Sequence, residues 1–236
     1  MIISHDRQTL FIGVPKNGSQ TARAVLGQIG IDLVGEMGRH PTVPEAIRLA
    51  EERFPRETIA PTAIYAFWRD PVERFCSAVE FHKRCLPNSF IQLFPERFVG
   101  IEPHKRWFES DTMAVNQELR SVIDNIMLIE ILAALPPPSI PGVSFQPRGG
   151  NLSFYRPQLS WLDHPGISIL PFVEYELRLS QLVDIFGNDG ASSLIPKVNA
   201  TGGSVSQPSA DNVELIQSYY KMDTMLQGAR DCPCCL

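Results

Sequence analysis

Thr9-Leu10-Phe11-Ile12-Gly13-Val14-Pro15-Lys16-Asn17-Gly18-Ser19-Gln20-Thr21 is the stretch on which the reading of the chain turns. Leu10 to Val14 is a short apolar strand that runs into a tight polar loop. Ala22, Ala24, Val25, Leu26 and Ile29 then follow at helical spacing. Strand, loop and helix in that order predict an anion site. Gly18 and Ser19 leave room for an approaching oxygen, the first N–H groups of the helix have no partner inside it, and the helix dipole lies behind them. Lys16 adds a full positive charge. A plain strand-to-helix turn uses the same small residues, so the stretch alone leaves both readings open.

The spacing excludes two common phosphate loops. A nucleoside triphosphatase loop places Lys after its second Gly with a magnesium-binding hydroxyl beside it, whereas Lys16 precedes Gly18 and no Lys-Ser or Lys-Thr pair occurs in the loop. The dinucleotide fingerprint G-x-G-x-x-G is missing too. The order V-P-K-x-G-S-x-T resembles the 5'-phosphosulfate loop, P-K-T-G-[GS]-T-S, of sulfotransferases that use 3'-phosphoadenosine 5'-phosphosulfate (PAPS). The resemblance implies that Pro15, Lys16, Asn17, Gly18, Ser19, Gln20 and Thr21 hold the donor, with Lys16 neutralising charge on the departing phosphate. Asn17 stands where Thr is usual, Ser19 where Gly is frequent and Gln20 where a hydroxyl residue is usual; Ser19 and Thr21 remain to supply the hydroxyl contact.

A second strand, loop and helix follow at residues 62 to 78. Residues 62 to 67 are apolar and aromatic-rich, as in a buried parallel strand; Asp70 is a helix cap and Pro71 a first-turn residue. Arg69 therefore lies at the carboxyl end of a strand, the edge where open α/β sheets bind ligands. Ser77 lies about two turns into the helix. The order F-x-R-D-P-x-x-R-x-x-S resembles the 3'-phosphate element of the same family, which implies that Arg69 and Ser77 grip the ribose 3'-phosphate. Arg74 either faces that site or pairs with Asp70.

Other segments extend the resemblance. His40 precedes a helix start at 41 to 45 capped by Thr42, and the family often brings a His or Glu from this region to the acceptor hydroxyl; His40 is the expected general base, with Glu36 the fallback. Phe154-Tyr155-Arg156-Pro157-Gln158-Leu159-Ser160-Trp161-Leu162 is similar to the R-P-Q-x-x-[WY]-L element, and Gln158 either contacts the acceptor region or serves as a structural hydrogen bonder. The Gly-rich loop at 194 to 204 is similar to the family's late nucleotide-closing loop, which implies a phosphate contact from Lys197. Residues 112 to 134 read as one helix with Glu130 interrupting its stripe, and residues 210 to 229 as a closing helix. The clusters His82-Lys83-Arg84 and His104-Lys105-Arg106-Trp107 either line an acceptor groove or are solvated surface.

The chain has 236 residues, 44% of them hydrophobic and 20% charged, enough for one α/β domain with a substantial core. The expected fold is a single domain over 1 to 236, three layers around a central parallel sheet in the P-loop-like arrangement of that family. A Pro-rich connector is expected near 135 to 150 and a Cys-rich tail at 230 to 236. A net charge of -5 argues against a general nucleic-acid binder. No basic stretch followed by a long apolar run opens the chain, so neither signal peptide nor membrane anchor is expected and a cytosolic location is the default. Five cysteines make no disulfide framework, and no ligand spacing points to a metal. The resemblance thus implies an O-sulfotransferase with PAPS as donor, 3',5'-adenosine bisphosphate as product and a carbohydrate hydroxyl as acceptor. The alternatives are a non-catalytic glycan-binding or interaction protein on the same fold, and a P-loop kinase.

Overall fold

A computed structural model describes residues 1–35, 40–85, 88–99, 117–135, 154–162, 164–187 and 207–230. Its frame is a five-stranded sheet of order β3-β1-β2-β4-β5. The strands are β1 (Ile2–Ile3), β2 (Thr9–Ile12), β3 (Ile31–Asp32), β4 (Ala63–Trp68) and β5 (Ile167–Pro171). β2, β4 and β5 run parallel, with Leu10 opposite Ile64 and Ile64 opposite Ile167. β1 is antiparallel to both β2 and β3, so the expected parallel sheet is found in β2, β4 and β5 and the sheet as a whole is mixed. The cause is local: the polar turn at Ser4 to Arg7, with Arg7 at φ +65°, folds β1 back on β2 as a hairpin, which parallel strands cannot form.

Side chains alternate across this sheet, and each face meets helices. Ile2, Phe11 and Phe67 pack on α1 (Ser19–Leu26) and α7 (Tyr175–Ile185) through Val25, Leu26, Leu179 and Leu182. Ile3, Leu10, Ile12, Ile64 and Ala66 pack on α2 (Val43–Arg53) and on Trp161 and Leu162. A further core joins α3 (Pro71–Cys85), α4 (Asn88–Leu93), α5 (Gln117–Asp124), α6 (Leu128–Ala134) and α8 (Ala210–Tyr219) around Phe75, Phe90, Ile131 and Tyr220. α9 (Lys221–Arg230) ends the described chain.

Several helix boundaries follow local chemistry. Glu45 accepts the Thr42 N–H at 2.8 Å and Asp70 accepts the Glu73 N–H at 2.9 Å, so the expected caps of α2 and α3 are present. The single helix expected over 112 to 134 is broken within its described part: Glu130, which interrupts the apolar stripe in the sequence, accepts the Met127 N–H at 2.8 Å and starts α6, while Arg97 pairs with it. The closing helix is also split, at Tyr220. Among the described residues, no helix is long and apolar enough to cross a membrane. The expected connector near 135 to 150 beyond Leu135, the loop carrying Lys197, Glu36, the His104 cluster and the final cysteines lie outside the described residues.

Candidate functional site

Because β2 and β4 are adjacent and parallel, the loops that leave their carboxyl ends lie side by side. Arg69 Nη1 donates to the Lys16 carbonyl at 3.3 Å across a sequence gap of 53 residues. The guanidinium is held in place by the Phe172 ring, 4.9 Å from its centre, and by Glu73 at 3.3 Å. Lys16 has a φ of +67° and Gly18 of +69°, so the loop takes two left-handed residues in three. For Lys16 this is a strained conformation, which the surrounding structure must hold. Its Nζ lies 4.2 Å from the centre of the Phe81 ring on α3.

Gly18 is required twice over. A Cβ there would sit 2.4 Å from Tyr175 Cε2, on top of the left-handed φ. Tyr175 donates its hydroxyl to the Gly18 carbonyl at 2.7 Å, and Thr21 is hydrogen-bonded to the same phenol, whose ionisation burial opposes strongly. The phenol thus ties the loop to the first turn of α1. Sequence reasoning missed Tyr175; no local signal marks it, since its partner is 157 residues away.

Asn17 turns inward. It is 1% exposed, and its Nδ2 donates to the Phe67 carbonyl at 2.7 Å and to Gln158 Oε1 at 2.6 Å. Its amide therefore braces the loop from inside. Gln158 is the structural hydrogen bonder of the two roles open to it: it accepts the Arg69 N–H at 3.1 Å and donates Nε2 to the Arg69 carbonyl at 2.8 Å. Asp223 on α9 in turn accepts the Gln158 N–H at 2.7 Å and the Leu159 N–H at 3.1 Å.

Arg74 answers the other open alternative by doing neither. It is fully buried and donates to the carbonyls of Pro15 at 3.2 Å, Phe154 at 3.0 Å and Arg156 at 2.8 Å. Pro15 so offers its carbonyl to the protein interior. Burial pushes the Arg74 pKa down and Asp223, with Tyr220, opposes that shift; burial likewise pushes the Asp223 carboxyl up against the pull of Arg74. Ser77 is half-buried on α3, the helix that begins two residues after Arg69.

His40 lies against Gly13 at the end of β2. Its Nδ1 is 2.6 Å from the Gly13 carbonyl, and a carbonyl only accepts, so Nδ1 carries the proton and Nε2 keeps the basic lone pair. Burial holds its pKa below the ordinary 6.5, against the Gly13 hydrogen bond, with Arg23, Arg74 and the terminal amine adding to the downward shift. Gly13 has a reason to be glycine: a Cβ would lie 3.1 Å from that of Ser19 and 4.0 Å from His40 Nδ1. Ser19 is nearly buried and Gln20 exposed.

The first basic cluster is structural. His82 is buried with Nδ1 2.6 Å from the Tyr155 hydroxyl, Lys83 donates to the carbonyls of Asp124 and Ile126, and Arg84 pairs with Glu80. No group of His, Cys, Asp and Glu suited to a metal occurs among the described residues. Comparison of the chain with family models, curated proteins and solved structures gives no match.

Proposed function

We propose that the protein transfers a sulfuryl group from PAPS to a hydroxyl of a carbohydrate acceptor, on a domain of the P-loop-like sulfotransferase kind. The observation that carries this reading is the Arg69 to Lys16 hydrogen bond, because it puts the two motif loops on one rim of one sheet edge. A ligand with a charged group at each end of an adenosine would meet cations of both loops there. Helices on both sheet faces and the parallel β2, β4 and β5 support the fold assignment.

PAPS would supply an activated sulfuryl group: an acceptor oxygen bonds to sulfur as the sulfur to phosphate-oxygen bond breaks, the phosphate keeps the electron pair, and the acceptor proton goes to a base. Lys16 and the first amides of α1 balance the charge gathering on that phosphate. Arg69 and Ser77 hold the 3'-phosphate, a guanidinium being suited to forked contacts with phosphate oxygens. His40 Nε2, neutral and unprotonated, takes the proton. Of the residues first assigned to the donor, Lys16, Gly18, Ser19 and Arg69 keep that role most directly, whereas Asn17, Pro15 and Thr21 hold the loop in shape.

The test is transfer of labelled sulfate from PAPS to a panel of sugars, with calorimetric titration of 3',5'-adenosine bisphosphate. Lys16→Ala should lower transfer by about a hundredfold or more, the scale of losing one charge-stabilising donor, with its melting temperature kept. Arg69→Ala should weaken the bisphosphate by about tenfold or more while binding 5'-AMP like wild type. Unchanged bisphosphate affinity in Arg69→Ala would remove the support for this reading.

A further inference from the structure

α3 touches the Lys16 loop at two places. Arg74 donates to the Pro15 carbonyl at 3.2 Å, and about two turns further along the same face of the helix the Phe81 ring meets Lys16 Nζ, 4.2 Å from its centre. Phe81 is itself braced. Its ring stacks on Phe154 with centres 5.4 Å apart and planes 25° from parallel, and Phe154 meets the buried His82 edge-on at 5.2 Å. Arg74 Nη2 donates to the Phe154 carbonyl at 3.0 Å, which closes a circuit: Pro15 to Arg74, Arg74 to Phe154, Phe154 to Phe81, and Phe81 to Lys16, the residue after Pro15. Lys16 is thus held at both ends. Its backbone, at φ +67°, gives its carbonyl to Arg69, and its ammonium rests against the ring.

We infer that Phe81 is a positioning residue whose ring face presents the Lys16 ammonium to a phosphate held by the loop. A ring suits that task better than a carboxylate would. Its quadrupole draws the ammonium and so sets where the charge sits, yet it brings no full counter-charge to cancel it. A tetrahedral ammonium can rest one side on the ring and turn other N–H groups to phosphate oxygens, so ring and anion hold the cation together. The lysine stem is long and flexible, and ordering it before the anion arrives spares part of that cost at binding. The contact of ring and cation is independent of any reaction; its effect on turnover rests on the sulfuryl-transfer reading.

The experiment places 4-fluoro-, 3,5-difluoro- and 3,4,5-trifluorophenylalanine at position 81 of the full chain, because each fluorine withdraws electron density from the ring face while nearly keeping the ring's shape. Phe81→Leu, which keeps an apolar side chain without a ring, completes the set. Calorimetry would measure 5'-AMP, whose phosphate meets the Lys16 loop in the proposed site, with 3'-AMP, whose phosphate meets Arg69, as the control. Proton NMR would follow the Lys16 ε-methylene signal, assigned by its loss in Lys16→Ala and moved upfield by a ring held against it. The expected result is a 5'-AMP affinity that falls step by step with fluorine number, by about two- to fivefold at three fluorines and about fivefold in Phe81→Leu. In the fluorinated chains 3'-AMP affinity and melting temperature should stay as in wild type, and the upfield shift should vanish in Phe81→Leu. Sulfate transfer from PAPS should slow in the same order with the acceptor KM unchanged. A 5'-AMP affinity flat across the series would reduce Phe81 to packing, one that rises with fluorine would mean a ring that withholds the ammonium, and a wild-type Lys16 signal without the upfield shift would remove the contact. Each of these overturns the inference and leaves sulfuryl transfer standing. The graded loss of 5'-AMP in a protein that moves no sulfate would uphold Phe81 and overturn the transfer reading instead.

Discussion

Lys16 and Gly18 hold left-handed backbones one residue apart, and only one of them is a glycine. The loop is kept there by side chains from elsewhere, so the cheapest way to break it is to add one methyl group. Gly18→Ala would drive a Cβ into the Tyr175 ring and add left-handed strain; a loss of about 1–3 kcal/mol by urea unfolding is expected, with weaker bisphosphate binding in whatever folds. His40 carries a prediction of its own. Burial lowers its folded pKa below 6.5, so the imidazole stays neutral under mild acid; if His40 is the base of the proposed transfer, the acid limb of kcat/KM should fall below 6.5. The sign for stability follows from the same shift: the unfolded chain binds the proton first, so the His40 contribution is complete above the unfolded pKa and is lost as pH falls through the folded one. His40→Gln should flatten that part of the stability profile in unfolding melts run from pH 7 to pH 5. At this scale the sequence showed the charged and small residues of the site plainly. It did not show that Asn17 points inward, because an amide at a loop position is equally suited to a ligand or to a carbonyl behind it.

Between elements, the two motif loops are joined by one buried amide. Gln158 Oε1 receives both Asn17 Nδ2 and the Arg69 N–H, while its Nε2 returns a bond to the Arg69 carbonyl, so it fixes the distance between the Lys16 loop and the Arg69 loop. Gln158→Leu would strand the Arg69 N–H and carbonyl and one Asn17 donor contact, at about 1–3 kcal/mol for each group left unsatisfied. The informative readout is ligand size. On the proposed donor reading, binding of the two-ended 3',5'-adenosine bisphosphate should weaken by about tenfold, while 5'-AMP and 3'-AMP, each of which would engage one loop, should change by less than about threefold, since misplacing the loops relative to each other would damage only the chelate. The strand, loop and helix units themselves were legible because apolar runs and caps are local signals: α2 and α3 begin where Thr42 and Asp70 predict. β1 was not, since two residues carry no period, and neither was the break before α6, where Ile126 keeps the apolar rhythm across a backbone that has left the helix.

Across the whole molecule, the last described helices hold up the first loop. Asp223 on α9 anchors the backbone of Gln158 and Leu159, and its charge offsets that of Arg74, which spans from the Pro15 carbonyl to those of Phe154 and Arg156. Residues more than two hundred positions apart are thereby one mechanical unit. Motif order in the sequence pointed to convergence of the two cationic loops; it carried no trace of this scaffold, because a buried Arg or Asp looks in sequence like any surface charge until its partners are known. Asp223→Ala should therefore be among the most damaging single changes, removing the charge opposite Arg74 and two backbone acceptor contacts, for about 3–5 kcal/mol. Asp223→Asn keeps one acceptor oxygen and should cost less. If the unit is coupled as drawn, amide exchange at Lys16 to Gly18 should rise in Asp223→Asn together with exchange at Arg69, although both loops lie far from the substitution in sequence. Faster exchange confined to α9 and residues 158 to 159 would show instead that the last helix caps its neighbour and goes no further.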